Sequence, residues 1–315
     1  MGHRANLVIV DGGDYKLFYC HGCATAIPQE MFWGPPFAIS WIRHQQDIAK
    51  DAWMNQTWAE GGALVDLQNR FLLLYGGENL LFDIPLRRVY LELLQENWHD
   101  WKVGWAHDSI AEIAGYVGVD RAPLITEAER FDDEISLTPP QDRLSANIIA
   151  SIVDHNGDLR LFPLDGLLAS EWLAYGVDFI DAAQNGGMEH LPLHEWLQHD
   201  GSSHPPFPLG GFHIDQPQKR LSIWSANDPC VVDRIKAFWD GWELHWLRDQ
   251  YEFQLEHTRG RLIFPQHDIG AYVARLNAML MVDMSGSLDA RISPSTRRKI
   301  LDHAIAAWKQ KRQNA

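Results

Sequence analysis

Short runs in which apolar and polar residues alternate recur along the chain, and most come in pairs joined by turn residues. Residues 7–10 and 16–19 are β-rich and flank Asp11-Gly12-Gly13-Asp14, where glycine supplies the positive φ of a tight turn, so they predict a hairpin. A short helix is expected over 35–49, after Gly34-Pro35-Pro36. Residues 63–66 and 70–75 predict a second hairpin that turns at Leu67-Gln68-Asn69. Over 84–97 the apolar positions Leu86, Val89, Leu91, Leu93 and Leu94 predict a helix. Trp101, Val103 and Trp105 then alternate with Lys102 and Gly104, the period of a strand. Ser109-Ile110-Ala111-Glu112 has the form of a capping box, and the helix it opens should stop at Gly118.

The same order returns further along. Trp98, Trp101, Trp105 and Asp108 recur with their spacing as Trp239, Trp242, Trp246 and Asp249. Gly62–Asp66 aligns with Gly211–Asp215, Trp33-Gly34 with Tyr175-Gly176, and Gly13-Asp14 with Gly157-Asp158. The offset is 144 at the first block, 142 at Gly34, 149 at Asp66 and 141 at Trp98. Two long copies differ from a solenoid, which needs more and shorter repeats, and are the covalent analogue of a twofold dimer. The expected architecture is therefore α+β. A hairpin–helix–hairpin–helix–strand–helix unit is duplicated about a pseudo-twofold, its sheets are mostly antiparallel, and two C-terminal helices are added. The boundaries fall at 1–118 for the first repeat, 119–145 for a polar linker, 146–265 for the second repeat and 266–315 for the C-terminal helices. Within that last segment, residues 268–281 are amphipathic. Ser293-Pro294 opens a final helix with the apolar stripe Ile300, Leu301, Ala304 and Trp308.

Charge narrows the function classes. The formal net charge of −15 argues against nucleic acid, whose phosphates call for clustered Lys and Arg. The exception is residues 291–312, where seven basic residues stand against Asp302 alone. They read as a solvated helix face, or else as a helix that docks on an acidic surface. No stretch approaches the ~18–20 apolar residues of a membrane span, and no apolar signal core follows Met1-Gly2-His3-Arg4. Three cysteines without framework spacing fit a reducing compartment, so a cytoplasmic location is expected.

Candidate chemistry lies where the two copies disagree. Glu60-Gly61-Gly62 and Gly76-Gly77-Glu78 bracket the second hairpin of the first copy, whereas the second copy has Pro208-Leu209-Gly210 and Ser225-Ala226-Asn227. Two carboxylates there could serve acid–base chemistry, with His21 and His107 as partners. Trp33, Arg87 and Arg88, also altered in the second copy, are candidate binding residues. The shared tryptophans read as core, with Trp105 and Trp246 as the pair that would line a ligand site. Cys20-His21-Gly22-Cys23 reads as two buried cysteines, with a redox pair or half a zinc site as the alternative; no second CxxC completes a metal set. His-Asp neighbours such as His99-Asp100 and His199-Asp200 are adjacent in sequence only, which is not how a triad is assembled. No phosphate loop, dinucleotide fingerprint or nucleophile elbow occurs, and no metal or cofactor is expected.

The segments Gly2-His3-Arg4-Ala5-Asn6, Phe32-Trp33-Gly34-Pro35, Trp58-Ala59-Glu60-Gly61-Gly62 and Tyr75-Gly76-Gly77-Glu78 resemble a group of uncharacterised bacterial proteins over somewhat more than the first third of the chain. The resemblance implies a bacterial, cytoplasmic protein and brings no activity or site residue with it. On these grounds the expected function is non-enzymatic binding, for instance by an acidic inhibitor or immunity-type protein that masks a basic partner. A hydrolase built on His21, Glu60, Glu78 and His107 is the alternative. A small-molecule sensor with its site between the repeats is the third reading.

Overall fold

The computed structural model describes residues 2–128, 147–185, 207–264, 268–282 and 292–314. The chain divides into two compact units, Met1–Leu81 with Pro85–Ile125 and His267–Ala315, and Phe82–Ile84 with Thr126–Gln266. The C-terminal helices, a segment of their own in the sequence reading, thus belong to the first unit. Most of the linker read at 119–145 and His199-Asp200 lie outside the described residues.

The first unit holds a six-stranded sheet. Its strands are β1 (Ala5–Asp11), β2 (Asp14–Cys20), β3 (Gln46–Ile48), β4 (Gly61–Asp66), β5 (Phe71–Tyr75) and β6 (Lys102–Trp105), in the order β3-β2-β1-β4-β5-β6. Its helices are α1 (Ile27–Phe32), α2 (Pro35–Arg43), α3 (Glu78–Phe82), α4 (Ile84–Asn97) and α5 (Ser109–Tyr116). The second unit has β7 (Ile148–Val153), β8 (Leu159–Leu164), α6 (Ala169–Leu173), α7 (Val177–Asn185), β9 (Gly210–Asp215), β10 (Arg220–Ser225), α8 (Val231–Ile235), β11 (Glu243–Trp246) and α9 (Glu252–His257). Its sheet runs β11-β10-β9-β7-β8. α10 (Ile269–Leu280) and α11 (Pro294–Asn314) close the chain. The protein is α+β, as its patterning predicts, and its antiparallel pairs are joined by parallel ones, β1 with β4, β5 with β6, β7 with β9 and β10 with β11. β4 is buried along its whole length, the condition of a strand covered on both faces.

Apart from the edge strand β3, the two sheets share one plan: two hairpins pair through their first strands in parallel, and a further strand joins in parallel to the last. The shared tryptophans serve one purpose in both. Trp98 is fully buried, packs edge-on against Trp101 at 5.0 Å and donates from Nε1 to Met31 O in α1 at 2.8 Å. Trp239 packs edge-on against Trp242 at 5.1 Å and donates to Leu173 O in α6 at 2.7 Å. Gly34 and Gly176, both at positive φ, lie against the carbonyls of Asn97 and Phe238, each one residue before its tryptophan. A Cβ at either position would press on backbone. The hairpin turns match as well: Asp66 Oδ1 accepts from Asn69 N, and Asp215 Oδ1 accepts from Gln218 N.

Three local expectations are corrected. The helix expected over 35–49 ends at Arg43, because the His44 ring and the Gln45 side chain turn back onto Ser40 O and Trp41 O, and residues 46–48 leave to pair with β2. The capping box is half formed. Glu112 accepts from Asp108 N at 3.0 Å, whereas Ser109 sits at positive φ with its hydroxyl buried and unpartnered. The cysteines read as incidental are joined, Cys20 to Cys23, in a disulfide.

The basic C-terminal helix finds its acidic surface inside its own unit. Lys311 Nζ donates to Glu96 at 2.6 Å, Arg312 Nη1 to Glu92 at 3.1 Å and Trp308 Nε1 to Glu92 at 2.6 Å, so α11 docks on α4. Among the described residues no helix is long and apolar enough to cross a membrane.

Candidate functional site

The four acid–base candidates all stand at one end of the first sheet. Ala5 of β1 opposes Gly61, Gly62 opposes Tyr75, and Leu74 opposes Trp105. His21 therefore follows the end of β2, Glu60 precedes β4, Glu78 follows β5 and His107 follows β6. Four strand intervals separate β2 from β6, roughly 19 Å along the edge. His21 and His107 thus cannot serve one reaction centre. The contacts of the others point apart as well. Glu60 meets His3 Nδ1 at 3.2 Å. Glu78 lines a groove of about 460 Å3 with Arg275 and Met279 of α10, and His21 lines a different one.

Most of the expected binding residues are core. Trp33 is buried, with the Arg297 guanidinium 5.5 Å from its ring centre. Arg87 is fully buried, donates to Leu80 O at 3.2 Å and lies 4.9 Å over the ring of Trp105. Those two are the one candidate pair that these contacts bring together, and what they form is packing. Arg88 and Trp246 are half-buried, and the indole N–H of Trp246 is buried without an acceptor. Among the described residues no three His, Cys, Asp or Glu side chains gather as a metal set.

The larger groove, about 920 Å3, lies wholly within the first unit. Its wall is the irregular segment between β3 and β4, which is tied down at several points. Tyr15 donates its hydroxyl proton to Lys50 O at 3.2 Å, and Met54 N donates to Asn6 Oδ1 at 2.9 Å. Gln56 N donates to Leu124 O and Glu60 N to Arg4 O, both at 3.0 Å. Asn6, fully buried on β1, spends its side chain on this loop and on Phe18 O.

Aromatic rings and cations interleave around the opening. The Arg4 guanidinium sits 4.7 Å over the ring of Trp58, which is 54% exposed, and Arg4 has no carboxylate partner among the described residues. Lys50 lies 5.1 Å over Tyr15 and is paired with Asp14. The Tyr19 hydroxyl is 3.1 Å from His21 Nδ1. At the wall, Trp53 Nε1 and Asn55 Oδ1 are buried without partners. Asp51 and Asp120 also line the groove, and Asp120 accepts from Ala122 N at 3.1 Å. Of this set only His21 belongs to the sequence-derived site. Trp53 and Trp58 carried a usable signal, since they fall in a segment with neither helical nor strand period, where a buried face does not explain a tryptophan. No family model, curated protein or solved structure matches the chain, so the chemistry of the groove itself has to carry the assignment.

Proposed function

We propose that this is a non-enzymatic binding protein, and that the groove of the first unit is its recognition surface. The observation that carries the reading is the separation of His21, Glu60, Glu78 and His107, set beside the convergence of Arg4, Tyr19, His21, Trp53 and Trp58 on one tied-down groove. Preformed concave sites with a few placed polar groups are the usual form of ligand pockets. The common plan of the two sheets supports an internal duplication in which the first copy kept the site and the second became scaffold. A basic partner would have to use another surface, because it would meet the Arg4 guanidinium over Trp58 and the Lys50 ammonium at the groove.

Native mass spectrometry of the protein from its own host tests the proposal. A low-molecular-weight species should ride with the wild type and be lost in Trp58→Ala. Turnover of an ester, phosphate or glycoside that disappears in Glu60→Gln or Glu78→Gln would replace this reading with the hydrolase.

A further inference from the structure

We infer that the groove takes a small organic anion carrying a flat ring, an inference that rests on the groove being a binding surface. Two candidate chemistries compete for a site of this make-up. An aromatic cage for an organic cation requires bare ring faces. Here the Arg4 guanidinium already lies over one part of Trp58, the exposed ring at the opening, and the Lys50 ammonium also lines the groove, so an organic cation seated on Trp58 would stand beside positive charge. What the opening offers is the reverse, a cation held in place by a ring. Lys50 is committed to Asp14, whereas Arg4 has no acid to neutralise it among the described residues. A guanidinium fixed against an indole presents its donor fork with little further ordering, and that fork matches a carboxylate or a phosphate.

The rest of the groove fits the body of such a ligand. The exposed area of Trp58 gives a flat ring something to stack on. The unpartnered Trp53 N–H and Asn55 carbonyl oxygen call for polar atoms on the occupant. Asp51 and Asp120 limit the charge the site tolerates, though Asp120 is engaged by its own turn. With a chain charge of −15 the field at longer range opposes an anion, so the ligand is small and carries one anionic group rather than a string of them.

Titration calorimetry on the full chain tests this with four probes. Indole-3-acetate and indol-3-yl phosphate share the indole ring and differ in the anion, tryptamine has the ring with a cation, and indole has the ring with no charge. Saturable binding of at least one anionic probe is expected, with tryptamine and indole weaker by tenfold or more. The better of the two anions tells carboxylate from phosphate. Arg4→Met should weaken the anion by roughly 10- to 100-fold, the worth of a charge-assisted hydrogen bond. Arg4→Lys, which keeps the charge and loses the fork, should fall between. Tryptamine binding as tightly as the anions, or anion binding indifferent to Arg4, would overturn the inference and leave a binding groove of other specificity. Silence towards both anions overturns it too. If tryptamine and indole are silent as well, while Glu60-dependent turnover is found, the binding-protein reading falls with it.

Discussion

Burial decides the charge state of His213 on β9. Its pKa is lowered from 6.5 to about 4, first by desolvation and then by His257, whose ring centre is 5.4 Å away. Ser151 Oγ lies 2.8 Å from Nδ1 and itself accepts from Gln254 Nε2 at 2.9 Å, so a neutral imidazole completes a buried network. A group whose folded pKa is depressed in this way stabilises the fold fully above pH 6.5, and the contribution is lost as pH falls through 4. The shift corresponds to about 3 kcal/mol. Asp228 acts in the opposite sense. Burial raises its pKa from 3.8 to about 6 against the pull of Arg234 and Ser170, so its contribution is present below pH 3.8 and fades as pH rises through 6. The two trends partly cancel in the wild type, and a single substitution separates them. His213→Asn should be less stable than wild type at pH 7.5, with the gap closing by up to about 3 kcal/mol at pH 4. Urea denaturation at both pH values checks it, and a gap independent of pH would refute the assignment.

At the scale of elements, the tryptophan pairs tie each last strand to a short helix near the start of its unit. Trp98→Phe and Trp239→Phe keep most of the buried ring and lose the N–H, leaving Met31 O and Leu173 O without that donor. Each should cost about 1–3 kcal/mol, and each alanine variant about 3–5 kcal/mol. Chemical denaturation should give comparable losses at the two positions; a large loss at one and none at the other would mean that the residues are not equivalent. These elements were legible in the sequence because their signals are local. Asp-Gly turns, the apolar spacing of α4 and the Ser293-Pro294 start act over a few residues. The missed elements lack such a signal. β3 is three residues at a sheet edge, held by backbone pairing rather than by alternation, and α1 is too short to show a helical period. Which strands pair in parallel is settled by long-range order, and the groove depends on that choice. Arg4 and Trp58 meet because β1 lies beside β4, which no spacing between them announces.

For the whole molecule, the consequence lies in where the C-terminal helices belong. Tyr272, Leu276 and Leu280 of α10, with Leu301, Ala304 and Trp308 of α11, are part of the same apolar core as β1 and β4. Gln29 of α1 adds hydrogen bonds to Leu280 O at 2.9 Å and Val282 O at 2.8 Å. Burying those side chains is worth on the order of 10 kcal/mol, which is comparable to the entire stability of an ordinary domain. The ion pairs between α11 and α4 matter less: Lys311 is 67% exposed, and pairs of that kind contribute under about 1 kcal/mol. A chain ending at Phe264 should therefore lose the protection of the β1 and β4 amides against hydrogen exchange, while those of β7 and β9, whose core includes neither helix, keep theirs. Within the full chain, Leu301→Ala should destabilise the first unit by about 2–5 kcal/mol and Lys311→Ala by less than about 1 kcal/mol. Retained protection of β1 and β4 in the shortened chain would show that the first sheet folds without its C-terminal helices.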